Sequence, residues 1–181
     1  MHCSVGSQRR SGVHRVNARV VRIRRATIKD AQRISELAQA VALQFIVDEF
    51  SGKGRAFYLQ ELAPEAIIKR VAARDFRFLV AEDGEALVGV AAMQDNWHLY
   101  HLLVAKGYQR GGLAGRLWQI LRDEALSADP PRNFKANVPR YAIAAYTRLG
   151  FKADGAMREE KGVYFQPMTC PAKRLEAAAA K

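Results

Sequence analysis

The stretch that most limits what this 181-residue chain can become runs from Trp97 to Leu126. Trp97 to Val104 reads as a strand. Gly107-Tyr108-Gln109-Arg110-Gly111-Gly112 reads as a turn, and Leu113, Leu117, Ile120, Leu121 and Ala125 then fall on one side of a helix. A helix N-terminus has unpaired N–H groups and partial positive charge, and glycines just ahead of it let an anion approach those donors closely. The segment therefore predicts an anion site. It lacks the Gly-x-Gly-x-x-Gly spacing of a dinucleotide fold and the Gly-Lys-Ser/Thr ending of a phosphate loop, so neither of those nucleotide sites is expected.

The rest of the chain places this segment in a mixed α/β domain. Val21 and Ile23 alternate with arginines as in a half-buried strand, and Thr27 with Asp30 reads as a cap opening a helix through Ile34, Leu37, Val41 and Phe45. Residues 48–63, with Gly52, Lys53, Gly54 and Arg55, read as a mobile connection. Pro64 then starts a second helix extending to Arg74. Asp83-Gly84 supplies a tight turn between strands at Phe76 to Ala81 and Leu87 to Ala92. Beyond Asp129-Pro130-Pro131 the pattern gives a strand near Phe134 to Asn137, a helix from about Pro139 to Arg148, and two final strands around Phe151 to Met157 and Val163 to Met168. One domain over residues 20–170 accounts for this, with residues 1–19 as a disordered basic arm and 171–181 as a tail.

The residues now resemble a family. Val104 to Ala114, with Gln109-Arg110-Gly111-Gly112-Leu113-Ala114 at its centre, is similar to the Gln/Arg-x-x-Gly-x-Gly/Ala motif of the GNAT N-acetyltransferases. Tyr146-Thr147-Arg148-Leu149-Gly150-Phe151 is similar to their Tyr-x-x-x-Gly-Phe. Arg25-Ala26-Thr27-x-x-Asp30 resembles their usual opening, and Glu160 to Met168 the closing strand of a bacterial subgroup of unassigned substrate. The resemblance implies a central, mostly antiparallel sheet of about six or seven strands flanked by about four helices. It also implies transfer of an acetyl group from acetyl-coenzyme A to the primary amine of a small molecule or peptide, with no metal.

By position in those motifs, the backbone of Gln109, Arg110, Gly111, Gly112, Leu113 and Ala114, with Gly115 just inside the helix, would cradle the pyrophosphate. The backbone of Leu102, Leu103 and Val104 would pair with the pantetheine arm, and Arg110 would add charge to the phosphates. Tyr146 falls where a phenol protonates the departing sulfur. His98 falls where many members hold a glutamate or histidine as base, and its unperturbed pKa of about 6.5 suits that work near neutral pH. By period two, His98 and Tyr100 share one face of their strand and His101 points to the other. Asn137, just before the last helix, is assigned to the pantetheine or the acetyl site, or else to a strand-end cap. The commoner family asparagine would fall at Pro139, a departure from the pattern. The acceptor is expected beside Gln44 to Leu62, where Phe45, Phe50, Phe57 and Tyr58 mix with Asp48, Glu49 and Glu61.

Composition enters at one point. The chain has 29 Lys+Arg against 18 Asp+Glu, a formal charge of +11. Eight basic residues precede the first acid, Asp30, four of them in the arm ahead of Val20. Such an excess draws nucleic acid, anionic membrane or phosphorylated ligands. The arm has no interleaved aromatics and the chain no nucleic-acid motif, so a nucleic-acid module is the weaker alternative, as is an acyl-coenzyme A sensor without turnover. No run of 18 apolar residues predicts a membrane span. The two cysteines, Cys3 and Cys170, form no metal or disulfide pattern, so a reducing cytoplasm is the expected setting. A homodimer is compatible with the sequence.

Overall fold

The computed structural model describes residues 20–172; the basic arm and residues 173–181 lie outside the described residues. The first strand, β1 (Arg22–Arg25), leads through a single 3-10 turn at Ile28–Asp30 into α1 (Ala31–Phe45). The entry is capped as the sequence suggests. The Asp30 carboxylate accepts from the Thr27 N–H at 2.8 Å and from its hydroxyl at 3.1 Å. Arg24 donates to both Asp30 oxygens, at 2.8 and 2.7 Å, and to Glu82 at 3.0 and 2.7 Å. The guanidinium holds the Asp30 carboxyl well below the usual range, and the Thr27 bonds act in the same direction.

Residues 48–63 are not a loose connection. After a 3-10 turn at Val47–Glu49 they form α2 (Gly52–Glu61), whose cap is Ser51: its Oγ accepts from the Gly54 N–H at 3.1 Å. The two glycines that suggested mobility serve a close approach. A Cβ on Gly54 would stand 1.9 Å from the Gly162 carbonyl oxygen, so α2 rests backbone to backbone on the hairpin at the far end of the chain. Helix α3 (Pro64–Ala72) follows, with proline in its first turn.

The sheet is built from β2 (Phe76–Asp83), β3 (Ala86–Gln94) and β4 (His98–Val104), then α4 (Leu113–Ala128), β5 (Asn133–Val138) and α5 (Ile143–Arg148), and finally β6 (Lys152–Ala153), β7 (Arg158–Glu160) and β8 (Val163–Pro171). The order is β1-β2-β3-β4-β5-β8-β6 with β7 on β8, and every pairing except β4 with β5 is antiparallel. The expected six or seven strands are thus eight, because the last stretch divides at Gly155 and at the Lys161-Gly162 turn, all with positive φ. The domain also reaches slightly further than expected, with Pro171 paired to Asn133 and Ala172 buried.

Two apolar cores form on opposite faces of the sheet. Leu113, Leu117, Leu121 and Ala125 of α4 pack with Leu99, Phe134, Tyr146 and Phe151 on one. Ile34, Val41 and Ile67 of α1 and α3 pack with Phe78, Val90 and Leu103 on the other. Burial of this kind, about 25 cal/mol per Å² of apolar surface, is what holds the helices to the sheet.

Candidate active site

Strands β4 and β5 touch at one pair, His98 with Lys135, and then part. Because β4 and β5 are parallel and joined through α4, their C-terminal ends diverge and leave the edge of β4 open toward the gap. An open strand edge carries N–H and C=O groups that need partners, so the gap is a natural seat for an extended polar chain. It forms a cleft of about 890 Å³. Leu102, Leu103 and Val104 line one wall, Asn137 and Pro139 the other, and Gln109, Arg110, Gly112, Leu113, Ala114 and Gly115 one end. Tyr146 of α5 lines it too.

The glycine turn has the conformation an anion cradle needs. Gly112 is the cap residue of α4, with φ of 80°, and opens a helix of 16 residues whose first N–H groups have no partner within the helix. Arg110, at φ of 63°, is held in the same left-handed region, a costly conformation for a residue with a Cβ. Arg110 and Arg148 bring positive charge to the lining. The turn is also tied to the rest of the cleft. Gln109 donates to the Val104 carbonyl at 3.0 Å and accepts from the Tyr141 hydroxyl at 2.8 Å, and the Tyr141 ring stacks on Phe45 of α1 at 4.6 Å.

The other end is aromatic. Tyr58 of α2, Tyr100 and His101 of β4, and Tyr146 converge there with Val41 and Ile46. A bulge makes this possible: Ala92 faces His101 and Met93 faces Leu99, so Tyr100 is an extra residue in β4. The sequence reading placed His101 opposite to His98 and Tyr100, since strict alternation demands it. The bulge resets the alternation, and all three point to the α1 side, with ring centroids 5.9 Å apart for His98–Tyr100 and 4.8 Å for Tyr100–His101.

Burial pushes the Tyr146 phenol well above its ordinary pKa and the Tyr58 phenol up to about 12, so both remain protonated donors near neutral pH. Burial lowers His101 to about 3, with Arg70 and His98 acting in the same direction. Burial also lowers His98.

Most of the residues singled out from the sequence come together in this cleft. His98 and Gly111 do not line it: His98 sits one step back, at the β4–β5 pair, and Gly111 lies outside the lining. The acids expected near the acceptor do not line it either. Asp48 pairs with Arg55 and Glu49 with Arg140, while Glu61 holds Arg70, whose Nη1 also donates to the Glu61 carbonyl at 2.6 Å. Sequence reasoning did not single out Tyr108, Tyr141 or Arg148 as cleft residues, and it placed Tyr58 on a connection. The Ser51 cap three residues before Gly54 was the available signal for α2.

A family model described as an acetyltransferase (GNAT) domain matches residues 36–172. The chain belongs to the GNAT acetyltransferase family. Its co-substrate is acetyl-coenzyme A, and the open edge, the glycine turn and the two arginines are what such a molecule's amides and phosphates require. Solved structures with this fold include the PaiA N-acetyltransferase of Thermoplasma acidophilum in complex with coenzyme A, 15% identical with a TM-score of 0.72, covering 84% of this chain and 99% of that one. A GNAT acetyltransferase of Streptococcus pneumoniae is 18% identical with a TM-score of 0.61, covering 84% and 99%. A spermidine N-acetyltransferase, SpeG, of Vibrio cholerae is 17% identical with a TM-score of 0.59, covering 84% and 94%. No curated protein matches by sequence. Among the described residues, no cluster of His, Cys, Asp or Glu is fit to hold a metal ion, and no helix is long and apolar enough to cross a membrane.

Proposed function

We propose that this acetyltransferase moves the acetyl group of acetyl-coenzyme A to a primary amine of a small molecule or peptide by direct attack on the thioester. What supports the reading is that Leu102 to Val104, the turn at 109–115 and the Tyr146 side chain share one cleft. In this reading the β4 edge holds the pantetheine, the turn holds the pyrophosphate with Arg110, and Asn137 contributes from the opposite wall. A backbone N–H of β4 polarises the thioester carbonyl, where negative charge develops on oxygen.

The Tyr146 hydroxyl, kept protonated by its burial, is the acid for the departing sulfur. His98 is the sequence's base. Since it does not line the cleft, its role requires a relay past Tyr100, through water. The test is a broad amine panel with acetyl-coenzyme A, read by thiol release. Amine-dependent release is expected. Protection against heat by acetyl-coenzyme A without turnover of any amine would overturn the reading in favour of a sensor.

A further inference from the structure

The acceptor end of the cleft has one polar atom with an unmet need. His101 is 7% exposed, its Nε2 is buried, and no group in the protein bonds to it. An orphaned buried nitrogen costs about 1–3 kcal/mol, which a bound group would recover. Around it stand Tyr58, Tyr100 and Tyr146, from α2, β4 and α5, with the Tyr58 phenol within electrostatic reach of the other two. These four side chains are uncharged near neutral pH. Among the described residues lining the cleft, none is Asp or Glu, and Glu61 is committed to Arg70, whose guanidinium lies 5.1 Å from the centre of the Tyr100 ring. The nearest unshared tendency of the chamber is therefore against a cation.

Resting on the acetyl-transfer reading above, we infer that the acceptor is an aromatic monoamine that enters uncharged, its ring between Tyr58 and Tyr100 and its nitrogen hydrogen-bonded to His101. Flat aromatic faces favour a flat partner, by roughly 0.5–1.5 kcal/mol for each ring pair beyond simple burial. A chamber without a carboxylate gives nothing back for the desolvation of an ammonium, and it penalises each further charge of a polyamine. The chemistry balances without an outside base. The amine lone pair forms the C–N bond, the C–S bond breaks with its electron pair on sulfur, and Tyr146 gives sulfur its proton. The proton lost by nitrogen then replaces the one Tyr146 gave up.

The experiment compares 4-methoxyaniline and phenethylamine with spermidine at saturating acetyl-coenzyme A, alongside the thermal shift produced by acetyl-coenzyme A alone. Each aromatic amine is expected to exceed spermidine by at least about tenfold in kcat/KM. Tyr58→Glu, which puts an anion into the chamber, is expected to move that ratio toward spermidine by about tenfold. His101→Ala is expected to lower turnover of the aromatic amines about tenfold while leaving the thermal shift in place. Spermidine used as well as the aromatic amines, a ratio unmoved by Tyr58→Glu, or a coenzyme shift with no aromatic amine turned over would each overturn the inference. Absence of any shift by acetyl-coenzyme A would instead remove the acetyl-transfer reading on which it rests.

Discussion

The two ends of the cleft are made in different ways. The coenzyme end is local: β4, the turn and the start of α4 are consecutive, and the chemistry is mostly backbone. The acceptor end is assembled from Tyr58, Tyr100, His101 and Tyr146, which span nearly 90 positions on three elements. Backbone recognition by a turn needs only that the turn form, whereas recognition by distant side chains needs every supporting contact to hold. The first should tolerate changes elsewhere in the molecule, and the second should not.

The sharpest way to separate the ends is Tyr146→Phe. Loss of the proposed acid is expected to lower kcat by about 100-fold or more, with acetyl-coenzyme A still raising the melting temperature as in the wild type. A variant with full kcat would remove Tyr146 from the chemistry.

Gly54→Ala tests the support of the acceptor end from a distance. Its Cβ meets the Gly162 carbonyl, so α2 must move. A loss of about 2 kcal/mol, or roughly 6 °C in Tm, is expected together with a higher KM for the amine and an unchanged Kd for acetyl-coenzyme A. Equal damage to both constants would show that the ends are not independent.

Gly112→Val is the converse. A β-branched residue at φ of 80° strains the turn by about 1–2 kcal/mol, so coenzyme affinity is expected to fall about tenfold while the KM of the amine changes little. Calorimetric titration with acetyl-coenzyme A reads it directly.

The smallest effect lies in pH. His101 is held neutral down to about 3 in the folded protein, against about 6.5 unfolded. As pH falls below 6.5 the unfolded chain gains a proton that the folded one refuses. Stability contributed by the neutral form is therefore present above 6.5 and is lost progressively toward 3. Between pH 6 and 5 the expected loss is about 1 kcal/mol, and His98, also lowered, adds in the same direction. Denaturant unfolding of His101→Gln should show a shallower slope in that window. Asp30, whose carboxyl is depressed by Arg24, contributes stability that disappears only at lower pH, as the solution passes below the ordinary carboxylate range, so the two effects are separable.

The strand, turn and helix from Trp97 to Leu126, the capped entry at Thr27 and Asp30, and the helix opened by Pro64 were legible because each is set by neighbours in the chain: spacing, a cap, a proline. The acceptor end was not. Gly52 and Gly54 read as mobility until Gly162, more than a hundred residues away, came to lie against them. His101 read as facing away until the register between β3 and β4 slipped by one residue at Tyr100. The acids of residues 48–61 read as ligands for a cation until Arg55, Arg140 and Arg70 took them.

The sequence by itself determined the family, the α/β class and the anion-binding turn, since local periodicity and backbone freedom are written in consecutive residues. Only the tertiary structure decided which side chains face the acetyl group. That depends on a bulge, a divergence of two parallel strands and a contact between distant glycines, and none of these has a local signal.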